Sequence, residues 1–126
     1  MQNNTFPKRE KLCSYSDIQQ LFSEGKSIKN FPLKLLFFPI EKEITQVLIS
    51  VPKRNLKKSV QRNRVKRLIR ESYRLQKSLF LNEKGTFALA FIYIGKEICS
   101  FSQIMETMKQ LGEEWNKTLQ NNEITE

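Results

Sequence analysis

The 126-residue sequence predicts one α+β domain, a sandwich in which helices pack against a mixed β-sheet in the order αββαβα. Two kinds of pattern predict it. Apolar residues recur at helical spacing in three segments, and three short segments are rich in β-forming residues. No repeat or long linker divides the chain. One domain is therefore expected over residues 1–126, with flexible polar ends at 1–7 and 120–126.

A short helix opens the domain. Ser14 or Ser16 can cap its start, because a serine hydroxyl accepts a hydrogen bond from a free backbone N–H. Gly25 is a natural end for it. The apolar residues of this helix lie on one face, at i, i+3 and i+4 spacing: Ile18, Leu21 and Phe22.

Two β-strands are expected next, at residues 33–40 (LKLLFFPI) and 45–51 (TQVLISV). A short charged stretch separates them, so an antiparallel hairpin is the economical interpretation. Pro39 has no N–H to give to a strand ladder, which places the end of the first strand at an edge or a bulge. Pro52 should end the second strand.

An amphipathic helix is expected over about residues 57–79. At 100° per residue, one face is apolar and contains Val65, Leu68, Ile69, Ser72, Leu75 and Leu79. The opposite face is basic and contains Lys66, Arg67, Arg70, Arg74 and Lys77, with Asn63 beside them. One face of this helix is thus predicted to join the core, and the other to remain charged.

A strand and a helix complete the chain. Gly85 precedes residues 87–94 (FALAFIYI), a nearly continuous apolar run that predicts a strand buried on both faces. Ser100 or Ser102 can cap the last helix. Its apolar residues recur at helical spacing: Phe101, Ile104, Met105, Met108, Leu111, Trp115 and Leu119. These patterns do not give the order of the strands.

The formal charge of +9 is concentrated in one segment. Residues 53–74 contain ten basic side chains and one acidic side chain, Glu71. A helix face that serves only solubility usually alternates charges of opposite sign, so a merely solvated face is the weaker interpretation. Such an excess of positive charge indicates a polyanionic partner.

Several classes of function are disfavoured. The sequence has no histidine, which excludes Ser–His and Cys–His nucleophiles. Cys13 and Cys99 are far apart and suggest neither a zinc site nor a disulfide framework. The acidic residues are scattered, whereas a metal-dependent nuclease needs clustered carboxylates. No signal or membrane segment is apparent, so a reduced, cytoplasmic protein is expected.

Residues 62–71, RNRVKRLIRE, resemble the signature of the bacterial ribonuclease P protein family, in which an RNR triplet is followed by KR and then by another Arg. Residues 16–26 resemble the first helix of that family with its closing Gly-Lys. Residues 49–54 resemble its strand leading into a basic loop. The resemblance implies the family fold, an α+β sandwich with a left-handed βαβ crossover.

The resemblance also implies a function. A catalytic RNA would remove the 5′ leader of precursor tRNA by Mg²⁺-dependent hydrolysis, and the protein would assist without chemistry of its own. The implied partners are the ribonuclease P RNA and the precursor-tRNA leader, with no membrane and no obligate protein partner. No cofactor is expected on protein side chains, because Mg²⁺ is required by the RNA.

Two sets of residues follow from the resemblance. Contact with the catalytic RNA would involve Lys53, Arg54, Arg62, Asn63, Arg64 and Arg67. A cleft for the single-stranded leader would be lined by Ile18, Phe22, Leu36, Phe38, Lys66 and Arg70. Aromatic side chains suit this cleft because unpaired bases stack on them, although they can equally be core residues.

This sequence departs from the family pattern at several places. Ile18 and Leu36 stand where the family usually has aromatic residues, so stacking is expected to be reduced or shifted towards Phe37 or Phe38. Pro52 and residues 57–59 (KKS) alter the entry to the basic helix.

Two other binding functions stay open. A ribosomal or other structural RNA-binding protein would not distinguish a tRNA with a leader from one without. A DNA-binding regulator would place the basic helix in a major groove, prefer duplex DNA and dimerise.

Overall fold

The computed structural model describes residues 10–81 and 85–124, which form a four-stranded sheet with helices on both faces. In chain order the elements are α1 (Tyr15–Glu24), β1 (Lys26–Asn30), β2 (Leu33–Ile40), β3 (Gln46–Ser50), α2 (Ser59–Leu75), a 3-10 helix (Lys77–Leu79), β4 (Thr86–Tyr93) and α3 (Phe101–Ile124). The α+β class is confirmed. No helix among these residues is long and apolar enough to cross a membrane.

The helix ends follow the predicted capping chemistry. The Ser14 hydroxyl accepts a hydrogen bond from the backbone N–H of Asp17 at 3.4 Å, and the Gly25 N–H donates to the Leu21 carbonyl. Ser100 caps α3, because its hydroxyl accepts from the N–H of Gln103 at 3.2 Å. α3 continues to Ile124 and so extends into the segment 120–126, whose flexibility stays a prediction. The predicted flexible start, 1–7, lies outside the described residues.

The sheet has the order β1-β2-β4-β3, so the predicted hairpin is wrong. β4 inserts between β2 and β3 and pairs antiparallel with β2 and parallel with β3. The reason is the apolar character of β4, which is buried on both faces and therefore takes an interior position. The parallel pair joins β3 to β4 through α2.

β1 was not expected from the sequence, because KSIKN contains one apolar residue. It forms an edge strand that pairs antiparallel with residues 33–37 of β2. Pro39 lies past the end of this pairing, so its missing N–H faces an open side of β2, which agrees with the predicted edge position.

The main core fills the space between the sheet and the helix pair α2 and α3. Aromatic rings dominate it: Phe37, Tyr73, Phe80, Phe87, Phe91, Tyr93 and Trp115. Trp115 is fully buried, and its ring centroid lies 5.2 Å from that of Phe87 and 5.9 Å from that of Phe37. Leu75, predicted as core, is 51% exposed because Tyr73 rather than Leu75 completes the buried face of α2.

The other face of the sheet carries a smaller apolar cluster under α1: Leu12, Leu21, Leu36, Ala88 and Ala90. α1 follows Leu12, whose N–H donates to Val47 of β3, and it ends at Gly25, where β1 begins. It therefore crosses the sheet from the β3 side to the β1 side. Ten residues give about 15 Å of helix, which matches three strand spacings of about 4.8 Å. One thin helix leaves part of this face uncovered.

The two buried tyrosines predict loss of stability at alkaline pH. Burial raises the pKa of Tyr73 and of Tyr93 above the ordinary phenol value, and Tyr93 also donates to the Glu97 carbonyl. The neutral phenols thus stabilise the folded state fully below pH about 10, and this contribution falls as the pH rises further. We expect the urea midpoint to fall between pH 9 and pH 11, measured by tryptophan fluorescence. A Tyr73→Phe variant should show a smaller fall, and an equal fall would contradict this assignment.

Candidate nucleic-acid interface

Most basic side chains of α2 have no partner among the described residues. Arg64, Arg67 and Arg70 are exposed and Lys66 is half-buried, and none of them makes a hydrogen bond or ion pair with another described residue. Asn63 is exposed beside them, as are Lys53 and Arg54 in the loop before the helix. These cations are free to bind an anion.

The one acid of this segment is already paired. Arg74 donates to both carboxylate oxygens of Glu71, and one of these contacts, from Nε to Oε1, measures 3.2 Å. The hydrogen bonds from Arg74 hold the pKa of Glu71 below its usual value. Glu71 therefore neutralises Arg74 and leaves the positive charge of Arg64 and Arg67 uncompensated.

Arg62 has a structural role as well as a charge. Its Nη1 donates to the carbonyls of Leu56 at 3.0 Å and Lys57 at 2.8 Å, which fixes the loop that enters α2. No described side chain caps this helix at Lys58. The Asn55 side chain donates to the Tyr93 carbonyl at 3.0 Å, which holds the basic loop against the end of β4.

The free cations of α2 lie on two different surfaces. Lys66 and Arg70 follow each other at i, i+4, in the same helical stripe as Tyr73. Arg64 and Arg67 lie at i, i+3 on the far side of the helix, in the direction of Glu71. We call the surface formed by Asn63, Arg64 and Arg67 the outer face of α2.

The stripe that contains Lys66 and Arg70 faces the β3 edge of the sheet. Tyr73, in this stripe, lies near Glu10, because burial and then the charge of Glu10 raise the pKa of its phenol. Lys77, just after α2, has its Nζ 2.7 Å from the same carboxylate. Glu10 directly precedes Lys11, which forms a parallel bridge to Val47 of β3. Lys66 and Arg70 are therefore positioned beside β3, on the side towards α1.

The orientation of α1 creates a groove on the open face of the sheet. Asp17 forms an ion pair with Lys42, in the turn after β2, with 3.3 Å between the charged atoms. The opposite flank of α1 must then face the other end of the sheet, where β2 begins and β3 ends. Tyr15, Ile18 and Phe22 lie on that flank at i, i+3 and i+7.

The strand register gives the floor of the groove. Ser50, Ile92, Lys34 and Lys29 stand in one row across all four strands and share a face. The next row, beneath α1, contains Leu48, Ala90, Leu36 and Ser27. We call the space between α1 and the first row the sheet groove.

The candidate leader residues are not equally accessible. Phe22 is 49% exposed, and Ile18 and Phe38 are half-buried. Leu36 is 8% exposed because Leu21 of α1 packs over it, so it offers little surface for a base. Phe37 points to the opposite face of the sheet and packs on Trp115.

Tyr15 is the residue that the sequence reading missed. It is 74% exposed, on the same flank as Phe22, and its hydroxyl accepts a hydrogen bond from the Gln19 side chain at 2.8 Å. The i+7 spacing from Tyr15 to Phe22 was the available signal. Two exposed aromatic side chains thus border the sheet groove.

A model of the ribonuclease P protein family, described as Ribonuclease P, matches residues 6–119 of this chain. Among curated proteins, the ribonuclease P protein component of Porphyromonas gingivalis W83 is 34% identical over 110 residues, covering 82% of this chain and 80% of that protein. The component from Chlorobium phaeobacteroides is 35% identical over 125 residues, covering 86% of each chain.

Solved structures agree in fold. The RNase P protein from Thermotoga maritima superposes with a TM-score of 0.68 at 30% identity, covering 82% of this chain and 94% of that one. The Staphylococcus aureus RNase P protein gives a TM-score of 0.68 at 23% identity, covering 80% and 90%. The latter likeness concerns the fold alone.

Proposed function

This chain belongs to the ribonuclease P protein family, and from that premise we propose how its surfaces divide between two RNA ligands. As the protein component it partners the ribonuclease P RNA. We assign that contact to the outer face of α2 and the exposed loop residues Lys53 and Arg54. The single-stranded 5′ leader of precursor tRNA would lie in the sheet groove.

The proposal rests on one observation: exposed aromatic side chains and basic side chains border the same groove. Phe22 and Tyr15 offer faces on which bases can stack, while Lys66 and Arg70 stand at the β3 edge with no partner in the described part of the structure. Single-stranded nucleic acid is bound by this combination, because bases stack on aromatic rings and phosphates require positive charge.

The proposed role of the protein in the reaction is electrostatic. The RNA subunit hydrolyses the phosphodiester bond, and the protein adds affinity for the substrate. Cations on α2 reduce the repulsion between two closely placed RNA strands, which favours Mg²⁺ binding by the RNA. Because the proposed substrate is precursor tRNA, we place this activity in the cytoplasm.

The leader contact predicts a selective loss in a Phe22→Ala variant. Stacking of one base on an aromatic side chain contributes about 1–3 kcal/mol, so we expect the assembled enzyme to bind precursor tRNA about 5- to 150-fold more weakly. Binding of mature tRNA, which has no leader, should not change. Equilibrium binding of both tRNAs to the ribonucleoprotein measures the difference.

Phe101→Ala is the matched control, because Phe101 is an exposed aromatic at the start of α3, on the other side of the sheet. Its affinity for precursor tRNA should equal that of the unmodified protein. If the unmodified enzyme binds both tRNAs equally well, leader recognition is wrong and a structural RNA-binding role replaces it.

A further inference from the structure

Two lysines stand side by side at the β1 end of the sheet groove. Lys29 of β1 and Lys34 of β2 are direct cross-strand partners, and their side chains share the face that carries α1. Side chains at such positions have Cβ atoms about 4.5–5.5 Å apart, and like charges placed this way destabilise a sheet. The folded chain therefore carries an unfavourable contact that an anion would relieve.

No residue in the described part of the chain compensates these charges. Neither Lys29 nor Lys34 forms a hydrogen bond or an ion pair with another described residue. Lys34 has the apolar Ile92 as its neighbour on β4. The carboxylate of Asp17, the acid that α1 buries against the sheet, is paired with Lys42 at the opposite end of the strands.

The pair also lies at a defined place along the groove. Ser50 of β3 and Lys29 of β1 are the ends of one row, three strand spacings or about 14 Å apart. Lys66 and Arg70 border the β3 end of that row. Phe22 is near the β1 end, because α1 runs towards β1. A strand crossing the groove would meet cations at both ends and aromatic rings between them.

We propose that Lys29 and Lys34 form a second phosphate-binding site, which holds the phosphodiester backbone of a single-stranded leader after it has crossed the sheet groove. The inference rests on the proposed function. It adds that the affinity for precursor tRNA depends on the length of the leader. Binding of phosphate offsets the repulsion between the two ammonium groups. A leader too short to cross the groove does not reach the pair.

The test is a Lys29→Gln/Lys34→Gln variant assembled with ribonuclease P RNA, with precursor tRNAs that have leaders of about two and about ten nucleotides. We expect about tenfold weaker binding of the long-leader substrate and no change for the short-leader substrate. The slope of log affinity against log salt should fall by about 1.4, because two single-strand phosphate contacts are lost.

Lys109→Gln/Lys117→Gln removes the same charge from exposed positions of α3 and should leave both affinities unchanged. The Lys29/Lys34 variant should unfold at the same temperature as the unmodified protein or at a higher one, because a repulsion is removed. Equal losses for short and long leaders, or no loss, would overturn the proposal.

Weaker binding of the ribonuclease P RNA in the absence of tRNA would also overturn it and would assign the pair to that RNA. If the unmodified enzyme shows no preference for a leader, the proposed function itself fails.

Discussion

An Arg64→Ala/Arg67→Ala variant should bind the ribonuclease P RNA about 100-fold more weakly than the unmodified protein. Both guanidinium groups are exposed on the outer face of α2 and have no partner within residues 10–81 and 85–124. Charge-assisted hydrogen bonds contribute about 1.5 kcal/mol each or more, so two lost contacts give about 3 kcal/mol. The measurements are filter binding of the RNA and cleavage of precursor tRNA at low Mg²⁺, where the variant should no longer stimulate the reaction.

Two control measurements distinguish an effect of where Arg64 and Arg67 lie from an effect of the total charge of the protein. The thermal unfolding of the variant should be unchanged, because neither side chain is buried. Lys109→Ala/Lys117→Ala, which removes two cations from α3, should retain RNA binding and stimulation. Equal losses in both variants would show that only total charge matters, and would remove the outer face of α2 as the RNA contact.

A Trp115→Ala variant should lose about 3–5 kcal/mol of unfolding free energy. Trp115 has no exposed surface, and its ring contacts Phe37, Phe80 and Phe87. A small domain is stable by about 5–15 kcal/mol, so this loss removes a large share of the total. Urea unfolding followed by circular dichroism measures it.

Trp115→Phe is the control variant, because it makes a smaller change in the packing of the core. The indole N–H of Trp115 is buried and makes no hydrogen bond to any described residue, which is unfavourable in the folded state. Replacing it with Phe removes this donor while keeping most of the ring contacts. The Phe variant should therefore lose much less stability than the Ala variant, and similar losses would contradict the packing role assigned to the ring.

The sequence was sufficient for the elements with strong apolar periodicity. α1, α2, α3, β2 and β4 were each predicted within a few residues, because burial of an apolar face determines them. β1 was missed since an exposed edge strand needs few apolar residues. The hairpin was wrong because adjacency in the chain favours local pairing, whereas the doubly buried β4 requires a neighbour on each side.

The sequence predicted the part of the candidate site that consists of charged side chains on α2. The exposed cations of α2 followed from helical spacing and from the scarcity of acids. The partners of Arg62 are backbone carbonyls, which no sequence pattern displays. The burial of Leu36 and the pairing of Lys29 with Lys34 depend on strand register and on the placement of α1, which are set by tertiary packing.

The position of β4 between β2 and β3 has a consequence for the order of folding. During synthesis, β2 and β3 leave the ribosome before their shared neighbour, and α2 is made between them and β4. The two central ladders therefore join segments distant in sequence, and such non-local pairing is slow to form. Because α2 connects the parallel strands, the basic helix is docked when the sheet closes. An RNA that binds the docked helix therefore draws the newly made chain towards its closed sheet by mass action.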